Sequence, residues 1–206
     1  ESPDFSPEGK LIAFSGMRGS NADIYTINLE TKEIVNLTKS AFAEYSPTWA
    51  PDGKSIVYNA RVSGNQKLFR LDLATKKKTQ ITFGTVDETA AQFIDDHTLV
   101  FSSTATDPNV PLEPDVAKNG NVYNIWTLDT KNGELRQYTD AVGGVISPAV
   151  LNDPSGNRIA FVSYYKGDWG IHTLDRKEPI HTAQSADFGA PGPVAAFRDL
   201  VREFVA

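Results

Sequence analysis

Ser46-Pro47-Thr48-Trp49-Ala50-Pro51-Asp52-Gly53-Lys54-Ser55-Ile56-Val57-Tyr58 is the stretch that decides the fold, because the chain has already spelled it once. Forty-four residues earlier it reads Ser2-Pro3-Asp4-Phe5-Ser6-Pro7-Glu8-Gly9-Lys10-Leu11-Ile12-Ala13-Phe14. Pro-Asp/Glu-Gly-Lys is a tight-turn sequence, in which proline presets φ and glycine supplies a positive φ. The turn joins a first run, around Phe5 or Trp49, to a second, Leu11 to Phe14 or Ser55 to Tyr58. The second run is nearly all apolar and rich in β-formers, as in a strand buried on both faces.

Working outward, two further copies are present but degenerate. The third is Ala91-Gln92-Phe93-Ile94-Asp95-Asp96-His97-Thr98-Leu99-Val100-Phe101; the fourth runs Ser147-Pro148-Ala149-Val150, then Pro154-Ser155-Gly156-Asn157-Arg158-Ile159-Ala160-Phe161. A third run follows in each unit: Ile24-Tyr25-Thr26-Ile27, Leu68-Phe69-Arg70-Leu71, Ile125-Trp126-Thr127-Leu128 and Ile171-His172-Thr173-Leu174. Each unit closes on a threonine, in Asn36-Leu37-Thr38, Gln80-Ile81-Thr82, Gln137-Tyr138-Thr139 and Ile180-His181-Thr182. From the second-run anchor (Phe14, Tyr58, Phe101, Phe161) to the third-run anchor (Tyr25, Phe69, Trp126, His172) the gaps are 11, 11, 25 and 11 residues. The one discordant gap places an insertion of 14 residues within Ala105 to Asn121, a segment full of Pro, Asp and Asn, as a surface loop is.

Four short strands per unit, repeated in series, is the pattern of β-propeller blades. One four-stranded antiparallel sheet cannot bury two apolar faces alone; stacking blades buries them against each other. The motif Ser-Pro-x-Trp/Phe-Ser/Ala-Pro-Asp/Glu-Gly-Lys-x-Ile-x-Phe/Tyr, followed by Asp-Ile-Tyr and a closing Leu-Thr, resembles the WD40-like propeller repeat of the TolB family. The resemblance is close over Ser2 to Thr38 and Ser46 to Thr82, and extends over roughly residues 2 to 183. The expected fold is all-β, with blades at 2–45, 46–88, 89–146 and 147–183. Four blades fill about two thirds of a six-fold circle, and the resemblance implies a six- or seven-bladed ring. The chain is therefore read as part of such a ring, with a closed four-bladed ring as the other reading. The open faces of the end blades are expected to be covered by further blades, a second copy, or a C-terminal helix folded back. Residues 184–193 read as a linker; Val194 to Ala206 has helical apolar spacing and is expected to be a short helix, docked on the propeller or opening a further domain.

Composition narrows the function. The chain has 206 residues, 40% hydrophobic and 22% charged, and a net charge of −6. No apolar run reaches the ~18 residues of a membrane span. The one basic run, Lys76-Lys77-Lys78, sits at a turn, so no nucleic-acid face is expected. The lack of cysteine excludes disulfides, thiolate metal sites and cysteine nucleophiles.

No motif carries catalysis. There is no Gly-x-Ser-x-Gly elbow, no Gly-x-x-x-x-Gly-Lys-Ser/Thr and no Gly-x-Gly-x-x-Gly. His97 replaces a turn glycine, while His172 and His181 hold apolar anchor positions, so all three are read as structural and no metal or other cofactor is expected. Asp107, Asn109, Glu113 and Asp115 lack calcium-loop spacing and read as a solvated loop. Asn36-Leu37-Thr38 is formally a glycosylation acceptor, but its threonine belongs to the repeat.

The segments that lead from one blade to the next, Lys39 to Tyr45, Gly84 to Thr89 and Asp140 to Ile146, converge on the propeller axis. They make Glu44, Tyr45, Asp87, Glu88 and Asp140 the candidate partner-binding residues, an acidic entrance suited to a basic partner or a cation. The resemblance implies a non-catalytic, periplasmic or cell-envelope module of bacterial type that binds a protein, with an envelope lipoprotein as the kind of partner. The alternative is the substrate-gating propeller of a prolyl-oligopeptidase-like or tricorn-like peptidase whose catalytic part lies elsewhere.

Overall fold

The structure is a computed structural model that describes residues 2–19, 21–106, 122–151 and 158–189. Most of the expected insertion, the turn of the fourth unit and the expected C-terminal helix lie outside the described residues.

Four antiparallel sheets follow one another along the chain. Strands β1 (Asp4–Phe5), β2 (Leu11–Arg18), β3 (Asn21–Asn28) and β4 (Ile34–Asn36) make the first blade, in that order. The second has β5 (Glu44–Trp49), β6 (Ser55–Val62), β7 (Asn65–Asp72) and β8 (Lys78–Gln80). The third begins β9 (Glu88–Phe93), β10 (Thr98–Ser103), β11 (Asn124–Asp129) and β12 (Glu134–Gln137); the fourth holds β13 (Val145–Val150), β14 (Arg158–Tyr165) and β15 (Asp168–Asp175).

The repeated residues have repeated jobs. Gly9 and Gly53 carry the turns at φ 69° and 67°. In the third unit the turn is made without glycine: Asp95 Oδ1 accepts the N–H groups of His97 (3.0 Å) and Thr98 (2.8 Å). Ser2, Ser46, Ala90 and Ser147 all stand in the left-handed region, at φ 49° to 54°. In the second, third and fourth blades the first-to-second strand register shifts at this point, a bulge that falls on Ser-Pro in the second and fourth and on Ala90-Ala91 in the third. The closing threonines cap the third strands: Thr38, Thr82 and Thr139 Oγ1 accept the N–H of Ile24, Leu68 and Ile125 at 2.9, 2.9 and 2.8 Å. Aromatic pairs stack across equivalent registers, Phe14 on Tyr25 and Tyr58 on Phe69; His172 takes the ring position opposite Phe161, 5.8 Å away.

The core lies between blades. Ile24 packs with Tyr58 and Leu71; Val57 and Leu68 pack with Leu99, Phe101 and Trp126; Val100 and Ile125 pack with Val145 and Ile159. Ile24, Leu68 and Ile125 occupy one repeat position and are 0% exposed; Ile171, at the same position in the fourth blade, is 80% exposed. Burying an isoleucine is worth about 1.5–3 kcal/mol, so among the described residues the far face of the fourth blade lacks the contact that stabilises the other three.

One expectation fails. Ile180-His181-Thr182 does not close the fourth blade. The strand it enters, β16 (His181–Gln184), pairs with β12 as a fifth strand of the third blade, with Leu135 opposite Ala183 and Gln137 opposite His181. The cause is Pro179. In the earlier units the hairpin to the fourth strand turns at Lys32, Lys76 or Gly133, at φ 62°, 60° and 78°. Lys32 and Gly133 also donate their N–H to Asn28 O and Asp129 O. The fourth unit has Pro179 there, whose ring fixes φ near −65° and which has no N–H. The hairpin cannot close, and the chain returns to the third blade. The beginning of the stretch read as a linker is also packed: Ser185–Phe188 form a 3-10 turn, with Phe188 edge-on to Trp126 at 6.1 Å and Ser185 Oγ donating to Ile81 O at 3.1 Å.

Candidate functional site

The segments that cross between blades are held by buried polar side chains at one repeat position of the third strand. Asp23 Oδ1 accepts Ser40 N–H (2.9 Å), Lys67 Nζ donates to Phe83 O (3.0 Å), and Asn124 Oδ1 accepts Ala141 N–H (2.8 Å). The hairpins between second and third strands brace the same segments: Asn21 Nδ2 donates to Ala41 O, and Asn65 Nδ2 to Thr85 O. In the fourth blade Ser163 Oγ donates to Gly144 O, and Gly143 lies against the backbone carbonyl of Tyr164. Hairpins and crossing segments therefore form one end of the molecule.

The five candidate residues divide at this end. Glu44 and Glu88 are only 2% and 3% exposed and point inward, which corrects their reading as surface charges. Glu88 Oε1 sits 3.1 Å from Lys67 Nζ, and its Oε2 accepts the Thr82 hydroxyl at 2.9 Å. Burial pushes the Glu88 carboxyl up to about 7, opposed by Lys67 and Thr82. Lys67 is pushed down, again mainly by burial. Glu44 is likewise raised by burial, against the Thr38 hydroxyl and Lys78, whose Nζ is 3.5 Å away. Asp87 is half-buried, and its Oδ1 accepts Gln66 N–H (2.7 Å) and Asn65 Nδ2 (3.3 Å), so it organises the loops. Tyr45, 39% exposed, and Asp140 face solvent.

The structure adds residues that the charge-based reading missed. Val142, Tyr164, Tyr165 and Trp169 are all exposed at the fourth blade's share of this end. Tyr164 meets Trp169 edge-on at 5.5 Å, and Lys166 Nζ lies 5.2 Å from the Tyr165 ring centre. The signal was a hairpin with Tyr164, Tyr165 and Trp169 at the positions of Arg61, Val62 and Gln66 in the second unit. Exposed Tyr and Trp at a rigid hairpin are what protein interfaces use as anchors.

The first strands of three blades line an open cleft of about 480 Å³, bounded by Asp4, Phe5, Ser46, Trp49, Gln92 and Phe93 among others. Asp4 Oδ2 is engaged by Trp49 N–H at 2.7 Å. These walls offer aromatic and hydroxyl contact rather than an acid–base pair. Among the described residues no group of three or more His, Asp or Glu could hold a metal, and no helix is long and apolar enough to cross a membrane. The described histidines stand in separate places, His97 by Asp95, His172 against Phe161, and His181 edge-on to Trp126.

A family model described as the TolB beta propeller domain matches residues 1–119. Among solved structures, TolB from Acinetobacter baumannii is similar with a TM-score of 0.68 and 22% identity, over 87% of this chain and 42% of its own. A putative TolB from Agrobacterium tumefaciens gives a TM-score of 0.68 and 21% identity, over 92% of this chain and 62% of its own. Puromycin hydrolase, as an S511A mutant complexed with PGG, gives 0.60 and 18%, over 93% of this chain and 29% of its own. The chain thus spans less than two thirds of the length of these relatives. No curated protein matches it.

Proposed function

The chain belongs to the TolB beta propeller domain family, and from that membership we propose that it serves as a non-catalytic module that binds another protein at its loop-bearing end. The observation that carries the proposal is the juxtaposition of exposed Tyr164, Trp169 and Val142 with loops locked from beneath by Asp23, Lys67 and Asn124. Such a surface is preorganised, so little ordering entropy opposes binding. By likeness to TolB the setting is the bacterial periplasm or cell envelope, and an envelope lipoprotein is the kind of partner that fits. The test is affinity capture from envelope extract with the intact parent protein as bait, run beside a Tyr164→Ala/Trp169→Ala variant. A protein captured by the parent and lost from the variant supports the proposal; equal recovery from both baits refutes it.

The second reading is the gating propeller of a peptidase. It is favoured by the likeness of the fold to puromycin hydrolase, of which this chain covers 29%. A Gly-x-Ser-x-Gly elbow followed by Asp and His in the adjoining parent sequence would select it.

A further inference from the structure

Trp126 is 0% exposed, and its indole N–H meets no hydrogen-bond acceptor among the described residues. Two rings stand edge-on to it, those of His181 and Phe188, each with its centre 6.1 Å away. Both belong to the segment that returns from the fourth blade. An N–H buried without an acceptor disfavours the arrangement that buries it, by a factor of about five to one hundred. The fit is also incomplete. A cavity of about 10 Å³, at the limit of room for one water, remains among Thr82, Val86, Phe101, Trp126 and Phe188.

The returning segment has little to set against this. Of β16 only Ala183 is buried; beyond it Ser185 is buried and Phe188 partly so. By contrast, β10 buries all six of its residues. The segment is held by its ladder on β12, by the N–H groups of Ile180 and Ser185 given to Gln137 O and Gly133 O, and by the Ser185 hydroxyl on Ile81 O. A segment with so few buried side chains opens locally, at a lower free energy than the whole fold. When it lifts, Trp126 keeps its packing in the cluster of Val57, Phe101, Leu128 and Leu135, while the place of Phe188 falls vacant.

We infer that residues 181–188 are a lid, and that the seat of Phe188 on Trp126 is a binding site for a small aromatic molecule that carries a hydrogen-bond acceptor. The ligand's ring takes the place of Phe188, beside Phe101 and Val86. Its acceptor satisfies the indole N–H that the closed lid leaves unpaired. Ligand and lid compete for one seat, so binding shifts the population towards the open lid. The site uses neither Tyr164 nor Trp169, and it stands or falls independently of the proposed function.

The test uses the full chain with acetophenone as probe and ethylbenzene as the counterpart without an acceptor, each at about 1 mM. The readouts are the Trp126 indole N–H resonance and amide hydrogen exchange. In the free chain the amides of Ile180 and Ser185 exchange at least about tenfold faster than those of Leu68 and Ile125. Acetophenone shifts the Trp126 resonance and speeds exchange at Ile180 and Ser185, with Leu68 and Ile125 unchanged. Ethylbenzene binds at least about fivefold more weakly. Phe188→Ala vacates the seat and binds acetophenone at least about tenfold more tightly, while Leu68 and Ile125 stay protected. A Trp126 resonance unmoved in both the parent and Phe188→Ala overturns the inference. So does equal binding of the two probes, or exchange at Ile180 and Ser185 as slow as at Leu68 and Ile125.

Discussion

The ammonium group of Lys67 lies 3.1 Å from Glu88 Oε1, and the two side chains, from neighbouring blades, are 2% and 4% exposed. Removing one partner of such a pair leaves a buried charge uncompensated. Lys67→Met, which leaves the Glu88 carboxylate unpaired, is therefore expected to cost about 3–5 kcal/mol in chemical denaturation at about pH 8, whereas Lys67→Met with Glu88→Leu costs far less. Equal losses in the single and double variants would contradict this.

The same pair sets a pH dependence. The Glu88 carboxyl is raised from 4.5 to about 7 in the folded chain. Between those values the folded state holds a proton that the unfolded state releases. The contribution of Glu88 is therefore fully present below pH 4.5 and is lost as pH rises through about 7. Glu44, also raised, acts with the same sign. Denaturation midpoints should fall from about pH 5 to about pH 8, and fall less steeply in Glu88→Gln. A variant as pH-sensitive as the parent would remove Glu88 as the cause.

Thr82 and Thr182 test the repeat against the structure. Thr82 Oγ1 caps Leu68 N–H and donates to Glu88, so Thr82→Val should cost about 1–3 kcal/mol. Thr182 holds the same place in the sequence pattern but lies exposed on β16, and Thr182→Val should change stability by less than about 0.5 kcal/mol. Comparable losses at both positions would mean that β16 closes the fourth blade after all.

Lys76 carries the second blade's hairpin at φ 60° from an exposed position. Lys76→Gly relieves that conformation and should stabilise by up to about 1 kcal/mol. Lys76→Pro reproduces the fourth unit's residue and should cost about 3 kcal/mol or more. A tolerated proline, measured by thermal unfolding, would remove the explanation offered for β16.

Ile125 and Ile171 share a repeat position at 0% and 80% exposure. Ile125→Lys places a charge between two blades and should cost at least about 3 kcal/mol, while Ile171→Lys should stay within about 0.5 kcal/mol. Loss of stability in Ile171→Lys would show that its face is covered in solution.

The propeller was legible because its signals are local: Pro-Asp-Gly-Lys turns, Ser-Pro bulges and closing threonines recur at fixed spacing whatever surrounds them. The acidic residues were less so. Glu44 and Glu88 look like surface charge, and only the packed blades bring Thr38 and Lys78 to one, Thr82 and Lys67 to the other. Their separation by one full repeat was the available sign that they hold a structural position. The destination of β16 depends on Pro179 standing where the other units need a positive φ, a conflict that emerges once backbone angles can be compared across units.

A stack of blades that touch only their neighbours can lose its units one at a time, from the ends. The return of β16 to β12, with Phe188 against Trp126 and Ser185 reaching Ile81, ties the segment following the fourth blade to the third and second. The fourth blade therefore lies between two segments held on the third, and opens as a loop tethered at both ends rather than as a free end. During synthesis the third blade gains its last strand only after the fourth has emerged, so its outer edge remains open until then.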